Sequence, residues 1–150
     1  MSPISLSQFA DKLNQFMPQI LRGFMRRQTN ELLKGKITLP QFLILDFLDK
    51  EDESKMSGLA HFLNISTPAA TGIVDRLVKY GYIARVFDPE DRRIIKIRLT
   101  PRGSSLVDKI NQQKRQSTID IFSRISEKER NDYLKILMRI RDIITQEKKA

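Results

Sequence analysis

Residues 57–80 hold two short helical segments separated by only three residues, Asn64, Ile65 and Ser66, and few folds tolerate so tight a junction. Helices joined this closely must cross steeply, which calls for a small residue on the first and an apolar face on the second. Ala60 supplies the small residue, and Ala70, Ile73, Val74 and Leu77 supply the face at three- and four-residue steps. Ser57 is placed to cap the first segment, 58–63. Asn64 stands where a left-handed residue is useful, a conformation asparagine tolerates better than most. Thr67 is placed to cap the second segment, with Pro68 at the first helical position, where a missing amide donor costs nothing, and Gly81 closing it. The spacing predicts a helix-turn-helix.

Directly beyond it the period changes. Residues 82–87 and 93–99 are rich in β-branched side chains, with Ile95, Ile97 and Leu99 alternating onto one face, and the stretch Asp88-Pro89-Glu90-Asp91-Arg92 between them forms turns readily. A two-stranded hairpin, a wing, is expected there. Its tip presents Arg92 and Arg93, which suit the negative potential of a narrow minor groove. Asp91 is expected to orient an arginine by a charge-assisted hydrogen bond. A surface turn with an incidental ion pair is the competing reading of the same residues.

The flanks are helical. Leu6, Phe9, Leu13, Phe16, Met17, Ile20, Leu21 and Phe24 form one apolar stripe, in which Pro18 is expected to bend or interrupt the helix and after which Gly35 closes it. Thr38 and Gln41 have capping-box spacing ahead of a helix over 39–48. The acidic run 49–53 reads as a solvated loop. Thr100-Pro101 restarts helix, carrying Leu106, Val107 and Ile110 and later Ile121 and Phe122. Ser126 and Glu129 make a second capping box before a last helix with Tyr133, Leu134, Ile136, Leu137, Ile140, Ile143 and Ile144. The fold class expected is mainly α (α+β): a winged helix-turn-helix over 37–103, flanked by helical regions 1–36 and 104–150, all in one intertwined domain. Terminal helices with such wide apolar faces have little of a 150-residue chain to pack on. A second copy is the expected cover, so the flanks read as a homodimerisation region.

Composition narrows the function classes. The net charge of +9, from 27 basic and 18 acidic side chains, suits a polyanion, because cations that neutralise phosphates release condensed counterions. The face of the second helix opposite its apolar side carries Thr67, Pro68, Ala69, Thr71, Gly72, Asp75 and Arg76. Its first turn offers backbone donors and hydroxyls to phosphates and base edges, and small Ala69 and Gly72 let it sit deep in a major groove. The absence of cysteine removes disulfides and thiolate metal sites. His61 is the lone histidine, so no metal or cofactor site is expected, and no catalytic grouping stands out. Without an apolar span or a signal-like start, a cytoplasmic, non-enzymatic protein with no membrane association is the default. The alternative to a partner in double-stranded DNA is a winged helix used as a protein-interaction module.

Leu59-Ala60, Ser66-Thr67, Val74-Asp75-Arg76-Leu77, Gly81-Tyr82-Ile83, Asp88-Pro89-Glu90-Asp91-Arg92-Arg93 and Leu99-Thr100-Pro101-Arg102-Gly103 resemble the multiple-antibiotic-resistance regulator (MarR) family. The resemblance runs at motif level from about residue 39 to 103. It implies homodimers with a winged helix-turn-helix in each subunit, palindromic operators and, commonly, repression relieved by a small-molecule effector. Carried over by position, Ser66, Thr67, Ala69, Thr71 and Arg76 fall on the DNA-facing helix, and Arg92 and Arg93 on the wing. Gly72 departs from the pattern, because such regulators often carry arginine or another long polar residue there.

Overall fold

The computed structural model describes residues 3–31 and 37–147. Its elements are α1 (Leu6–Glu31), α2 (Leu39–Glu51), β1 (Glu53–Ser54), α3 (Met56–Leu63), α4 (Thr67–Lys79), β2 (Ile83–Phe87), β3 (Ile95–Leu99), α5 (Pro101–Phe122) and α6 (Glu127–Glu147). They divide into two compact units, Met1–Lys114 and Arg115–Ala150. Among the described residues no helix is long and apolar enough to cross a membrane.

In the first unit, α2, α3, α4 and the sheet close around one core. Ile44, Leu45, Leu48, Leu59, Val74, Leu77, Ile83, Ile97 and Val107 are almost wholly removed from water. Capping fixes where the helices begin. Thr38 Oγ1 accepts from Gln41 N while Gln41 Oε1 accepts from Thr38 N at 2.9 Å, the reciprocal box expected for α2. Ser5 and Gln8 make the same exchange at the start of α1, a box that the sequence reading passed over.

Several local expectations change. Helix α1 continues unbroken through Pro18, since one missing amide donor is a small fraction of the bonding in a 26-residue helix. Gly35 lies outside the described residues. Helix α2 runs on to Glu51, and the acidic stretch is no loop: Glu53 and Ser54 form a short strand on β3. The sheet therefore has three strands in the order β1-β3-β2, the expected hairpin with an added edge. Helix α3 begins at Met56 behind Lys55 and takes no side-chain cap from Ser57. Helix α4 is capped by Ser66, whose Oγ accepts from Ala69 N at 3.3 Å, and Thr67 is its first residue.

The junction between α3 and α4 is built by αL closure. Asn64 has φ 53° and ψ 46°, its N–H donates to His61 O, and Ile65 N donates to Ala60 O. That pair of bonds satisfies the last carbonyls of α3 and turns the chain sharply. The end of α4 repeats the device with Gly81 at φ +78°, where Gly81 N donates to Val78 O and Tyr82 N to Leu77 O. In the hairpin, Ile83 pairs with Leu99, Arg85 with Ile97 and Phe87 with Ile95.

In the second unit, the end of α5 and α6 form a helical hairpin. Ser126 and Glu129 box its turn, with Ser126 N donating to Glu129 Oε2 at 3.0 Å and Glu129 N to Ser126 Oγ at 3.3 Å. Phe122 stacks on Tyr133 with ring centroids 5.7 Å apart. No residue of α6 is buried, and Leu134, Ile136, Leu137, Ile140, Ile143 and Ile144 are all exposed. Leu6, Phe9, Leu13, Phe16 and Ile20 of α1 are exposed as well.

Candidate nucleic-acid interface

Helix α4 buries Ala70, Val74 and Leu77 and turns Ser66, Thr67, Pro68, Ala69, Gly72, Asp75 and Arg76 to solvent. Its first turn is exposed, with Ser66 and Thr67 hydroxyls at the positive end of the helix dipole, although most of the backbone donors expected there are taken: Pro68 has no N–H, Ala69 N donates to Ser66 Oγ and Ala70 N to Ser66 O. Thr71 is half-buried, and its hydroxyl donates to Thr67 O at 2.9 Å. With that proton spent inward, the side chain offers the outside a lone pair and a methyl group. Gly72 stands mid-helix, exposed, with nothing within 4 Å of where a Cβ would lie. The fold therefore has no steric use for glycine at this position, although glycine weakens a helix interior by about 1 kcal/mol relative to alanine.

The wing tip is organised by its own carboxylates. Asp88 Oδ1 accepts from Glu90 N at 2.9 Å and from Asp91 N at 3.3 Å, which shapes the turn. Asp91 Oδ1 accepts from Arg93 N and Nε at 3.0 and 3.1 Å, and Asp91 Oδ2 from an Arg93 terminal nitrogen at 3.2 Å. The arginine that Asp91 orients is thus Arg93, held bidentately while its side chain stays 91% exposed. Hydrogen bonds from the Arg93 side chain and then its backbone hold the Asp91 carboxyl below the usual aspartate range. Asp88 is lowered by the Glu90 amide and by Lys96. Both are fully ionised at neutral pH. Arg92 is exposed, with no acidic partner among the described residues.

Behind the tip, β1 braces β3. Lys96 Nζ reaches Glu53 Oε1 at 2.7 Å and Asp88 Oδ2 at 3.2 Å, and Arg98 Nε donates to Glu53 Oε2 at 2.7 Å. The base of the wing is closed by a clasp: Thr100 N donates to Tyr82 O at 3.0 Å, Thr100 Oγ1 donates to Gly81 O at 2.5 Å, and Gly103 N donates to Thr100 Oγ1 at 3.1 Å. A Cβ on Gly103 would overlap the Tyr82 carbonyl oxygen. Only glycine fits there.

The residues singled out from the sequence therefore form two groups, Ser66, Thr67, Ala69, Thr71 and Arg76 on α4 and Arg92 and Arg93 at the hairpin tip. Asp75, expected on the outward face, is there but paired with Arg85 of β2. Arg85 was missed. Strand alternation puts it on the face of buried Ile83, toward α4, and a cation on an inward strand face was the available signal for a partner. No group of three or more His, Cys, Asp or Glu side chains forms a metal cradle among the described residues.

Comparison with known proteins places this arrangement. The MarR family model matches residues 37–95, from the start of α2 into the wing. The uncharacterized HTH-type transcriptional regulator YpoP of Bacillus subtilis (strain 168) is 32% identical over 90 residues, covering 60% of this chain and 64% of its own length. A MarR family protein from Bacillus stearothermophilus has the same fold, with a TM-score of 0.84 at 21% identity over 95% of this chain and 99% of that one. A mutant MarR from E. coli, solved with operator DNA, superposes with a TM-score of 0.66 at 21% identity over 91% and 99% of the two chains. With its helix-turn-helix, three-stranded wing and aspartate-oriented tip arginine, the region from residue 37 to 95 is a winged helix-turn-helix of the MarR family type.

Proposed function

We propose that this protein is a sequence-specific, double-stranded-DNA-binding repressor that acts as a homodimer on a palindromic operator and releases it in response to a small-molecule effector. The observation that carries the reading is the pairing of an exposed α4 N-terminal turn with a wing whose exposed Arg93 is held in place by Asp91. The operator-bound MarR of like fold supports DNA as the partner. In this reading Ser66 and Thr67 meet phosphates at the start of α4, Ala69 and Thr71 face base edges, Arg76 reaches the backbone, and Arg92 and Arg93 enter the adjacent minor groove. The exposed apolar faces of α1 and α6 support dimerisation through the terminal regions 1–36 and 104–150. The two reading helices then lie about 34 Å apart in successive major grooves. An effector acts by shifting the population toward a different spacing.

Selection from random duplexes, followed by gel shifts across a salt series, tests the reading. The expected product is an inverted repeat whose affinity falls by roughly one logarithmic unit per phosphate neutralised for each decade of salt. Indifference to every duplex would overturn it in favour of a protein-interaction module. Thr71→Ala is expected to change base preference at one position of each half-site, by about 1–3 kcal/mol. Because the Thr71 hydroxyl proton is spent on Thr67 O, the base group it meets is a donor, an adenine or cytosine amine, or else a thymine methyl. An unaltered selected sequence would remove Thr71 from the readout.

Gly72→Ala separates groove depth from fold. The added methyl meets nothing within the chain, so the variant is expected to be more stable by about 1 kcal/mol and yet to bind the selected duplex more weakly. A melting curve and a gel shift that move in the same direction would show that α4 does not seat closely at Gly72.

A further inference from the structure

We infer that the ion pair between Asp75 of α4 and Arg85 of β2 is a positioning device, which holds the wing at one angle to the reading helix so that major- and minor-groove contacts fall in a single register. The inference rests on the DNA reading given above and concerns two residues to which that reading gave no role.

Three observations lead to it. First, the pair adds little to folding stability: the Asp75 side chain is 58% exposed and that of Arg85 35%, and ion pairs so open to water are weak contributors. Helix α4 is held by buried Ala70, Val74 and Leu77, and the base of β2 by Ile83, without any help from charge. Second, Asp75 lies on the solvent side of α4, four residues on from Thr71. A bare carboxylate there would repel phosphates, and Arg85 closing on it cancels that field. Third, the outer half of the wing rests on no core. Val86, Phe87 and Ile95 are exposed, and every residue from 88 to 94 is exposed or only partly covered. On the β3 side the wing is braced by Glu53 through Lys96 and Arg98. Arg85 is the last residue of β2 before that unsupported half, and its guanidinium joins the wing to α4 beyond the packed base at Ile83. Two braces on opposite sides fix an angle, whereas one leaves a hinge.

The chain contains no cysteine, so spin labels can be placed at will. Lys79→Cys at the end of α4 and Glu90→Cys at the wing tip, labelled and diluted into unlabelled chain, report the helix-to-wing distance distribution in the free protein. The wild-type background is expected to give a narrow distribution. Asp75→Asn and Arg85→Gln should each broaden it about twofold, and the exchange of Asp75→Arg with Arg85→Asp should narrow it again, the coupling expected of neighbouring charges. Melting temperatures should stay within about 2 °C of wild type, as for other exposed ion pairs. With DNA, Asp75→Asn should lower the ratio of selected-duplex to random-duplex affinity about tenfold, mostly through loss on the selected duplex.

Equal widths in wild type and both single variants would overturn the inference, as would an exchange variant that stays broad. A large loss of melting temperature would make the pair part of the fold instead. Uniform weakening of all duplexes by Arg85→Gln, with a smaller salt slope and no effect of Asp75→Asn, would make Arg85 a plain phosphate contact. Absence of selectivity in the wild type would sink the DNA reading alone, because the distance measurement needs no duplex.

Discussion

Gly103→Ala is expected to lower the melting temperature by roughly 6–12 °C and to cost most of the affinity for a selected duplex. The new Cβ would overlap the Tyr82 carbonyl oxygen and lie 2.9 Å from its carbonyl carbon and 3.1 Å from Leu99 Cδ2. Two of those neighbours are backbone atoms at the base of the wing and cannot swing aside. Separation therefore means moving α5 off the hairpin, which breaks the bond from Thr100 N to Tyr82 O and strains the Thr100 bond to Gly81. Overpacking of this kind, with a lost buried hydrogen bond, costs about 3 kcal/mol. Thermal unfolding followed by circular dichroism checks it, and a variant that melts with wild type would show that the clasp relaxes freely. The comparison with Gly72→Ala is instructive: the same chemical change is expected to have opposite signs at two helical glycines, because one has a carbonyl against it and the other open space.

The second large effect is expected at the wing tip. Arg93→Ala should weaken the selected duplex by roughly 10- to 100-fold, about 1.4–2.7 kcal/mol, with a shallower salt dependence. The side chain is almost fully exposed, yet Asp91 holds it by two side-chain bonds, so it meets the groove already ordered and loses little entropy on binding. Asp91→Asn should then give an intermediate loss: the charge that binds remains, while its orientation is loosened. Arg93→Ala binding as tightly as wild type would remove the wing from the interface. If Asp91→Asn lost more than Arg93→Ala, the aspartate would be organising the turn as a whole and not the arginine.

Much of this was legible in the residues. The three-residue junction 64–66, the change of period at Tyr82 and the run from Asp88 to Arg93 are local signals, each read from spacing and from what a turn demands, and the structure builds a helix-turn-helix and a hairpin from them. The helix starts were less secure. Ser57 and Thr67 each suit a cap by residue type, but which residue stands at the N-cap depends on where the preceding strand or turn delivers the chain: β1 brings α3 in at Met56 behind Lys55, with no side-chain cap, and the Schellman closure at Asn64 hands the cap of α4 to Ser66. The third strand was hidden because two residues, Glu53 and Ser54, carry no periodicity. Their strand character comes from β3 alone, 43–45 positions away, where Lys96 and Arg98 wait for the Glu53 carboxylate. The Asp75–Arg85 pair joins a helix to a strand ten positions on, and its one local signal is the place of Arg85 on the same strand face as buried Ile83.

The uncovered leucines and isoleucines of α6 bear on how such a protein would be dosed. If two chains must meet before either can hold an operator, then far below the dissociation constant of the pair the working species grows as the square of chain abundance. A modest rise in synthesis would then fill the operator over a narrow range, and dilution at cell division would empty it just as abruptly. On that account the same apolar residues that leave a lone subunit poorly covered would also make the regulator's response to its own supply steep.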